Sequence, residues 1–200
     1  MRISERLKGQ EAYSPGGSPC PVVLNANESF LAPSEELLKE FTAILQSTDF
    51  NRYPDPRATE LCQAFADLYN VNWEQVTAGN GSDELIPLLF AALVAPKDKV
   101  LTVNPDFSMY GIAAMMNDVE QVVYQTEDFF VNVDDVLAMA KEEDVAMLMF
   151  SNPCNPTGVV IPREKIVRMI DSFDGLVVVD EAYMDFSDQS VLDLAGKRDN

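Results

Sequence analysis

The sequence predicts an α/β fold built on a mostly parallel sheet, and two observations support this prediction. Short, β-rich apolar runs alternate with segments of helical length along most of the 200 residues. Two of these runs, residues 145–150 and 176–179, are each followed closely by a polar run. Alternating strands and helices favour parallel strands joined by right-handed crossovers. Because ligands bind at the carboxyl ends of such strands, both polar runs are candidate site segments.

The individual elements follow from the spacing of apolar residues and from the residues at the element ends. Proline precedes or opens several helices, as Pro33 and Pro162 do. Helices are predicted at residues 34–46, 58–69, 83–94, 107–116, 133–141 and 162–171. Strands are predicted at residues 99–103, 121–125, 145–150 and 176–179, with a short β-prone piece at 75–78. Residues 13–21, rich in proline and glycine, are expected to form an arm or linker.

The composition argues against several classes of function. Fourteen basic and thirty-three acidic residues give a formal charge of −19, so neither nucleic acid nor an anionic membrane is an expected partner. The chain has no histidine, so it holds neither a histidine-based triad nor a histidine-ligated metal, and we expect no metal site. Its three cysteines are odd in number and widely separated, which indicates reduced thiols in a cytoplasmic protein. No signal peptide or membrane-spanning run is recognised.

The two polar runs bring an amide, a carboxylate and a phenol to one rim of the predicted sheet. Residues 155–158 read Asn-Pro-Thr-Gly, and residues 180–183 read Asp-Glu-Ala-Tyr. This set suits a flat heteroaromatic cofactor that has a ring nitrogen and a phenolic oxygen, as pyridoxal phosphate does. Taken alone, the first run is also compatible with an ordinary turn, and Asp180 with a solvated acid after a strand.

Residues 79–84 read Gly-Asn-Gly-Ser-Asp-Glu and open a predicted helix, which makes them a candidate anion site. Simple helix capping by Ser82 or Asp83 is the alternative, and it is compatible with phosphate binding. A dinucleotide site is less favoured, because Glu84 stands where the third glycine of the Gly-x-Gly-x-x-Gly pattern is required.

Taken in order along the chain, these runs resemble the signature of fold-type-I, pyridoxal-phosphate-dependent aminotransferases, most of all the histidinol-phosphate aminotransferase branch. Three further runs match, at residues 24–28 (Leu-Asn-Ala-Asn-Glu), 52–56 (Arg-Tyr-Pro-Asp-Pro) and 105–110 (Pro-Asp-Phe-Ser-Met-Tyr). The resemblance implies a three-layer α/β/α large domain, here incomplete and preceded by an N-terminal arm. Residues 1–46 then form the arm and a small-domain segment, and residues 47–200 form part of the cofactor-binding domain.

The resemblance also implies which residues hold the cofactor ring. Asp180 pairs with the ring nitrogen and keeps it protonated, so that the ring can accept electrons. Tyr183 and Asn155 hydrogen-bond the phenolic oxygen. Asp180 and Tyr183 are therefore the expected catalytic residues of this chain. Phe107 stacks on the ring, with Tyr110, three residues on, as the rival for that role.

Other matched residues are implied to reach the phosphate, the substrate or a second subunit. Ser82 and Asp83 bind the cofactor phosphate at the start of their helix. Tyr53 crosses the interface of a homodimer to the neighbouring subunit's phosphate, and Asn27 lies at the substrate. Residues 29–30 are Ser-Phe where the histidinol-phosphate branch often has a tyrosine near the substrate side chain, which weakens the expectation of an imidazole substrate.

Family members bind the cofactor through a lysine in a Ser-x-Ser-Lys-like run beyond the Asp-Glu-Ala-Tyr run, and no lysine of this chain stands in such a run. We therefore expect an N-terminal portion of a longer enzyme, whose Schiff-base lysine is not in this chain. The leading hypothesis is an aminotransferase of histidine biosynthesis that moves an amino group between a small polar or phosphorylated amine and a 2-oxo acid. The alternatives are a related decarboxylase, such as threonine-phosphate decarboxylase, and a non-catalytic fragment.

Overall fold

The computed structural model describes residues 20–200, and it divides into two compact units between Pro54 and Asp55. The predicted arm at residues 13–21 lies almost wholly outside the described residues. The predicted domain boundary after residue 46 comes before this division. The assignment of the two segments to a small and a large domain stays a prediction.

The first unit contains one helix, α1 (Glu35–Ser47), among the described residues. Ser34 begins it, because its hydroxyl accepts a hydrogen bond from the N–H of Leu37 at 3.2 Å. Glu35 and Glu36 lie in the first turn, where negative charge complements the helix dipole. None of the residues of α1 is buried.

The second unit alternates helices and strands, and each helix and strand predicted between residues 58 and 179 is present with ends shifted by no more than a turn. Its helices are α2 (Thr59–Tyr69), α3 (Ser82–Leu93), α4 (Met109–Met116), α5 (Val133–Glu142) and α6 (Arg163–Ser172). Its strands are β1 (Lys99–Asn104), β2 (Glu120–Gln125), β3 (Val145–Ser151) and β4 (Leu176–Asp180). Short 3₁₀ segments lie at Trp73–Gln75, Met184–Phe186 and Leu192–Leu194.

The β-prone piece at residues 75–78 does not form a strand. The side chain of Asn72 accepts a hydrogen bond from the N–H of Glu74 at 3.1 Å and starts the 3₁₀ turn Trp73–Gln75. Residues 76–78 then pair with no strand in the part of the chain that the structure describes. Without a partner strand, β propensity alone does not produce a ladder.

The four strands form one sheet in the order β2-β1-β3-β4, and all its pairs are parallel. From β1 the chain moves to one side for β2 and to the other side for β3 and β4. The strand order therefore reverses between β1 and β3, which is where ligands bind in open sheets of this kind. Asp180 ends β4 directly opposite Ser151, which ends β3.

Apolar side chains cover both faces of the sheet, as a buried parallel sheet requires. Leu101 and Val103 of β1 pack with α5 and α6 on one face, whereas Val100 packs with α3 and α4 on the other. In β3, Leu148 belongs to the first cluster and Met147 to the second. This alternation gives three layers, helix on sheet on helix, and confirms the predicted fold class.

Candidate functional site

A cleft opens at the carboxyl ends of β1, β3 and β4, beside the reversal of strand order. The residues that line it are Ser82, Phe107, Ser151, Asn155, Asp180, Ala182 and Tyr183. Five of these were predicted as site residues from the sequence, and they come from four separate stretches of chain. The sheet topology brings them together, because the carboxyl ends of parallel strands meet at one edge.

Asp180 is fixed in the cleft by one hydrogen bond to each of its carboxylate oxygens. Its Oδ1 accepts the N–H of Ala182 at 3.1 Å, and its Oδ2 accepts the hydroxyl of Tyr110 at 2.9 Å. An ionised carboxylate has about four acceptor positions. Asp180 can therefore accept a further donor from a molecule in the cleft without losing either bond.

Tyr110, the rival of Phe107 for the predicted stacking role, does not line the cleft, whereas Phe107 does. It is 1% exposed and lies behind Phe107, with the two rings edge to face and their centroids 5.8 Å apart. Burial raises the pKa of the Tyr110 hydroxyl, and the negative charges of Asp180 and Asp106 raise it further. The hydroxyl therefore stays protonated and remains a hydrogen-bond donor.

The turn that carries Asn155 is held by a buried amide that sequence reasoning missed. Asn152 accepts the N–H of Ile161 at 2.7 Å and donates to its carbonyl at 3.3 Å, which closes the base of the turn. Gly158 has φ +70°, a conformation that favours glycine. The N–H of Asn155 donates to the Ser151 hydroxyl at 3.1 Å. The Asn-Pro-Thr-Gly run at residues 155–158 thus forms a turn, and its Asn155 also lines the cleft.

Asp106 is a half-buried group whose role the sequence did not reveal. Its carboxylate accepts the N–H of Phe107 at 2.7 Å, the N–H of Ser151 at 2.9 Å and the Ser151 hydroxyl. Burial raises the pKa of the Asp106 carboxyl, opposed by these hydrogen bonds and reinforced by the charge of Asp180. Asp106 thereby ties the chain after β1 to the end of β3, on which Asn155 depends.

The start of α3 is arranged differently from simple capping. Gly81, at φ +78°, precedes the helix, and no side chain caps it. Glu84 instead accepts the backbone N–H of Asn80 at 2.6 Å and its amide at 3.0 Å. Capping by Ser82 or Asp83 was therefore the wrong alternative. Ser82 lines the cleft; Asp83 is exposed and does not line it, and its backbone role stays a prediction.

Glu181 and Tyr183, which flank Ala182 after β4, have separate places. Glu181 accepts the Ser190 hydroxyl and the N–H of Val191, each at 2.7 Å, and so anchors the segment that follows the site. Tyr183 is half-buried and lines the cleft. In the Asp-Glu-Ala-Tyr run, Asp180 and Tyr183 therefore line the cleft, whereas Glu181 stabilises the fold.

The remaining predicted residues are not part of this lining. Tyr53 and Asn27 lie in the first unit, where both are exposed, and their predicted roles stay predictions. The Cys154 thiol lies against the carbonyl of Pro105 at 3.3 Å, outside the lining. No lysine within residues 20–200 lines the cleft.

Two kinds of feature are absent from residues 20–200. It holds no group of three or more cysteine or acidic side chains that could bind a metal. It also contains no helix that is long and apolar enough to cross a membrane.

Comparison with known proteins gives consistent matches. Residues 20–200 match the family model described as aminotransferase class I and II. The chain is 40% identical over 195 residues to a histidinol-phosphate aminotransferase of Clostridium novyi, and 34% identical over 199 residues to one of Thermoanaerobacter pseudethanolicus. These matches cover 97% and 99% of this chain but 55% and 57% of the relatives. The chain thus spans about half the length of the curated relatives it matches.

The fold matches a solved structure as well. The histidinol-phosphate aminotransferase of Sinorhizobium meliloti, determined in complex with pyridoxal-5'-phosphate, superposes with a TM-score of 0.73 at 26% identity. The superposition covers 81% of this chain and 44% of that one. Because the family model matches residues 20–200, the chain belongs to the aminotransferase class I and II family.

Proposed function

We propose that this chain supplies the groups that hold the cofactor ring in a pyridoxal-phosphate-dependent aminotransferase of the histidinol-phosphate type. The observation that carries the proposal is the meeting of Asp180, Asn155, Tyr183 and Phe107 in one cleft. When bound, pyridoxal phosphate supplies a cationic ring that takes up the electron pair left when a substrate loses a proton or a group.

The polar groups of the cleft fit the atoms of that ring. Asp180 has spare acceptor capacity and a negative charge, which suit a protonated ring nitrogen. Asn155 and Tyr183 offer an amide N–H and a phenol to the phenolic oxygen of the ring. Phe107, half-buried on the lining, offers its ring face to a flat heterocycle.

The phosphate of the cofactor fits the start of α3, a helix of 12 residues. Its first N–H groups have no partner within the helix and attract anions, and the Ser82 hydroxyl lies beside them. No atom lies within 4 Å of the position that a Cβ on Gly81 would occupy, so backbone and phosphate can approach closely there.

One part of the reaction is not assigned to this chain. An aminotransferase of this kind needs a lysine that binds the cofactor and moves the substrate proton, and none of the described lysines lies in the cleft. We propose that a residue beyond this chain supplies it.

We further propose a substrate pair and an assembly. The amino donor is a small polar or phosphorylated amine, as the names of the relatives suggest, and the acceptor is a 2-oxo acid. Asn27 contacts the substrate. The enzyme is a cytoplasmic homodimer of amino-acid biosynthesis in which Tyr53 reaches the neighbouring subunit's cofactor phosphate. Amino transfer is favoured over decarboxylation because the relatives at 34–40% identity are aminotransferases.

The test uses the complete gene product. We expect the purified protein to take up pyridoxal phosphate, to show a visible absorption band and to change that band when an amino donor is added. With histidinol phosphate and 2-oxoglutarate it should form glutamate, and with threonine phosphate, the substrate of the decarboxylase alternative, it should release no carbon dioxide. A protein that stays colourless in excess pyridoxal phosphate would exclude the cofactor, and carbon dioxide release would favour the decarboxylase instead.

A further inference from the structure

We propose that Tyr110 is a positioning residue for Asp180: its hydroxyl fixes the carboxylate in the orientation that binds a protonated ring nitrogen. The inference rests on the proposed function, because it concerns the cofactor that the function requires. Neither the local pattern around residue 110 nor that around residue 180 suggests the pair, since 70 positions separate the two residues.

The geometry leaves the Asp180 carboxylate little freedom to rotate. Tyr110 holds Oδ2 at 2.9 Å, and the backbone of Ala182 holds Oδ1 at 3.1 Å. The hydroxyl comes from a residue that is 1% exposed, so water cannot easily replace it. A hydrogen bond to an ionised acceptor is stronger than a neutral one, and burial strengthens it further.

Tyr110 can act as a donor throughout the pH range of the folded protein, because burial and two neighbouring carboxylates raise its pKa. The proton therefore stays on the phenol and is not passed to Asp180. Asp180 keeps its remaining acceptor positions for the ring. The Tyr110 ring also packs edge to face with the Phe107 ring, so one side chain contacts two residues of the cleft lining.

The test compares two ligands on the apo form of the complete gene product. Pyridoxine 5'-phosphate carries the ring nitrogen but cannot form an imine, and its 1-deaza analogue replaces that nitrogen with C–H. Tyr110→Phe removes only the hydroxyl. Tyr124→Phe is the matched control, since Tyr124 is also buried and its hydroxyl accepts the N–H of Asn132 away from the cleft.

We expect Tyr110→Phe to weaken pyridoxine phosphate about five- to tenfold and the deaza analogue less than about twofold, as loss of one hydrogen bond implies. Tyr124→Phe should leave the ratio of the two dissociation constants unchanged. The ratio is measured on one sample, so a partly unfolded variant lowers both affinities equally and does not alter it.

Two outcomes overturn the inference while the proposed function stands. Equal weakening of both ligands would mean that Tyr110 only supports the fold, and unchanged affinity for both ligands would mean that Asp180 does not need it. A wild-type protein that binds both ligands equally, or neither, would instead overturn the proposed function together with this inference.

Discussion

We propose that Asp180, which lines the cleft, controls the electronic state of a ring bound there. Its carboxylate is half-buried, doubly hydrogen-bonded and still open to the cleft. A carboxylate keeps a ring nitrogen protonated, whereas an amide cannot. The proposed chemistry therefore depends on the charge of this side chain more than on its shape.

We predict that Asp180→Asn in the complete gene product lowers kcat far more than it lowers cofactor affinity. Loss of a preorganised charged group at the reacting centre costs roughly 100- to 1,000-fold in kcat. Steady-state kinetics and a cofactor titration check the prediction. Asp174→Asn, which changes an exposed acid just before β4, is the control. Near-normal turnover of Asp180→Asn would mean that this residue is not the partner of the ring nitrogen.

Asp106 gives a prediction about pH, because burial raises the pKa of its carboxyl above the ordinary value of 3.8. A carboxyl whose pKa is higher in the folded than in the unfolded protein stabilises the fold when it is protonated. Its contribution is fully present below the unfolded-state pKa and is lost as the pH rises through the folded-state pKa. Asp106→Asn cannot titrate.

The melting temperature of the wild type, minus that of Asp106→Asn, should therefore decrease as the pH rises from about 4.5 to about 7. Asp67→Asn, which changes an exposed acid on α2, is the matched control. A difference that is constant, or that increases with pH, would show that the hydrogen bonds from Phe107 and Ser151 outweigh burial.

At the scale of elements, the turn between α3 and β1 places a lysine, Lys97, in a backbone conformation that favours glycine. The N–H of Asp98 donates to the carbonyl of Ala95 at 3.0 Å, with Pro96 and Lys97 between them. Lys97 has φ +77°, the left-handed value that a type II turn requires at this position and that glycine adopts best. The lysine is therefore strained where its side chain is exposed.

Lys97→Gly should stabilise the protein by about 0.5–1 kcal/mol, because relief of the left-handed strain exceeds the entropy that glycine adds to the unfolded chain. Thermal unfolding of the complete gene product measures the change. Lys97→Ala removes the same charge but keeps the Cβ, so it should have little effect. An equal gain from both variants would assign the effect to charge and not to backbone conformation.

The elements themselves were largely predictable, because apolar spacing and end signals are local. Pro162 before α6 and the apolar run of β3 each led to the correct element. The helix predicted from residue 107 begins instead at Met109, because the chain bends after β1 where Asp106 holds the N–H of Phe107. The β-prone piece at 75–78 forms no strand, because a strand needs a partner strand and local sequence does not specify one.

At the scale of the whole molecule, strand order explains why part of the site was predictable and part was not. The residues proposed to hold the cofactor stand in short runs after strands, so Asp180 and Asn155 could be proposed from the sequence. Tyr110 reaches Asp180, and Asp106 reaches Ser151, to which Asn155 bonds, only because β1 lies next to β3 and β4 follows it. No local sequence pattern predicts this strand order.

The proposed homodimer gives a prediction for Tyr53. Tyr53→Phe should weaken cofactor binding by roughly 1.5–3 kcal/mol, the value of one hydrogen bond to a charged group. The test is a mixed dimer of one Tyr53→Phe subunit and one Asp180→Asn subunit. If Tyr53 acts across the two-fold axis, the site of the Tyr53→Phe subunit, which keeps its Asp180, receives an intact Tyr53 from its partner.

Only the site with an intact Asp180 should be active in the purified mixed dimer, so the cofactor dependence of its activity reports on that site alone. We expect this activity to show normal cofactor affinity, with the Tyr53→Phe homodimer as the control. If the activity requires as much cofactor as that of the Tyr53→Phe homodimer, Tyr53 does not act across the interface.

The central claim is that Asp180 holds the ring nitrogen of bound pyridoxal phosphate in its protonated form. The most direct measurement is the ¹⁵N NMR chemical shift of ring-labelled cofactor bound to the complete gene product, recorded from about pH 6 to about pH 9 for the wild type and for Asp180→Asn. We predict a protonated nitrogen throughout this range in the wild type and an unprotonated one in Asp180→Asn. An unprotonated nitrogen in the wild type, or the same shift in both proteins, would contradict the account.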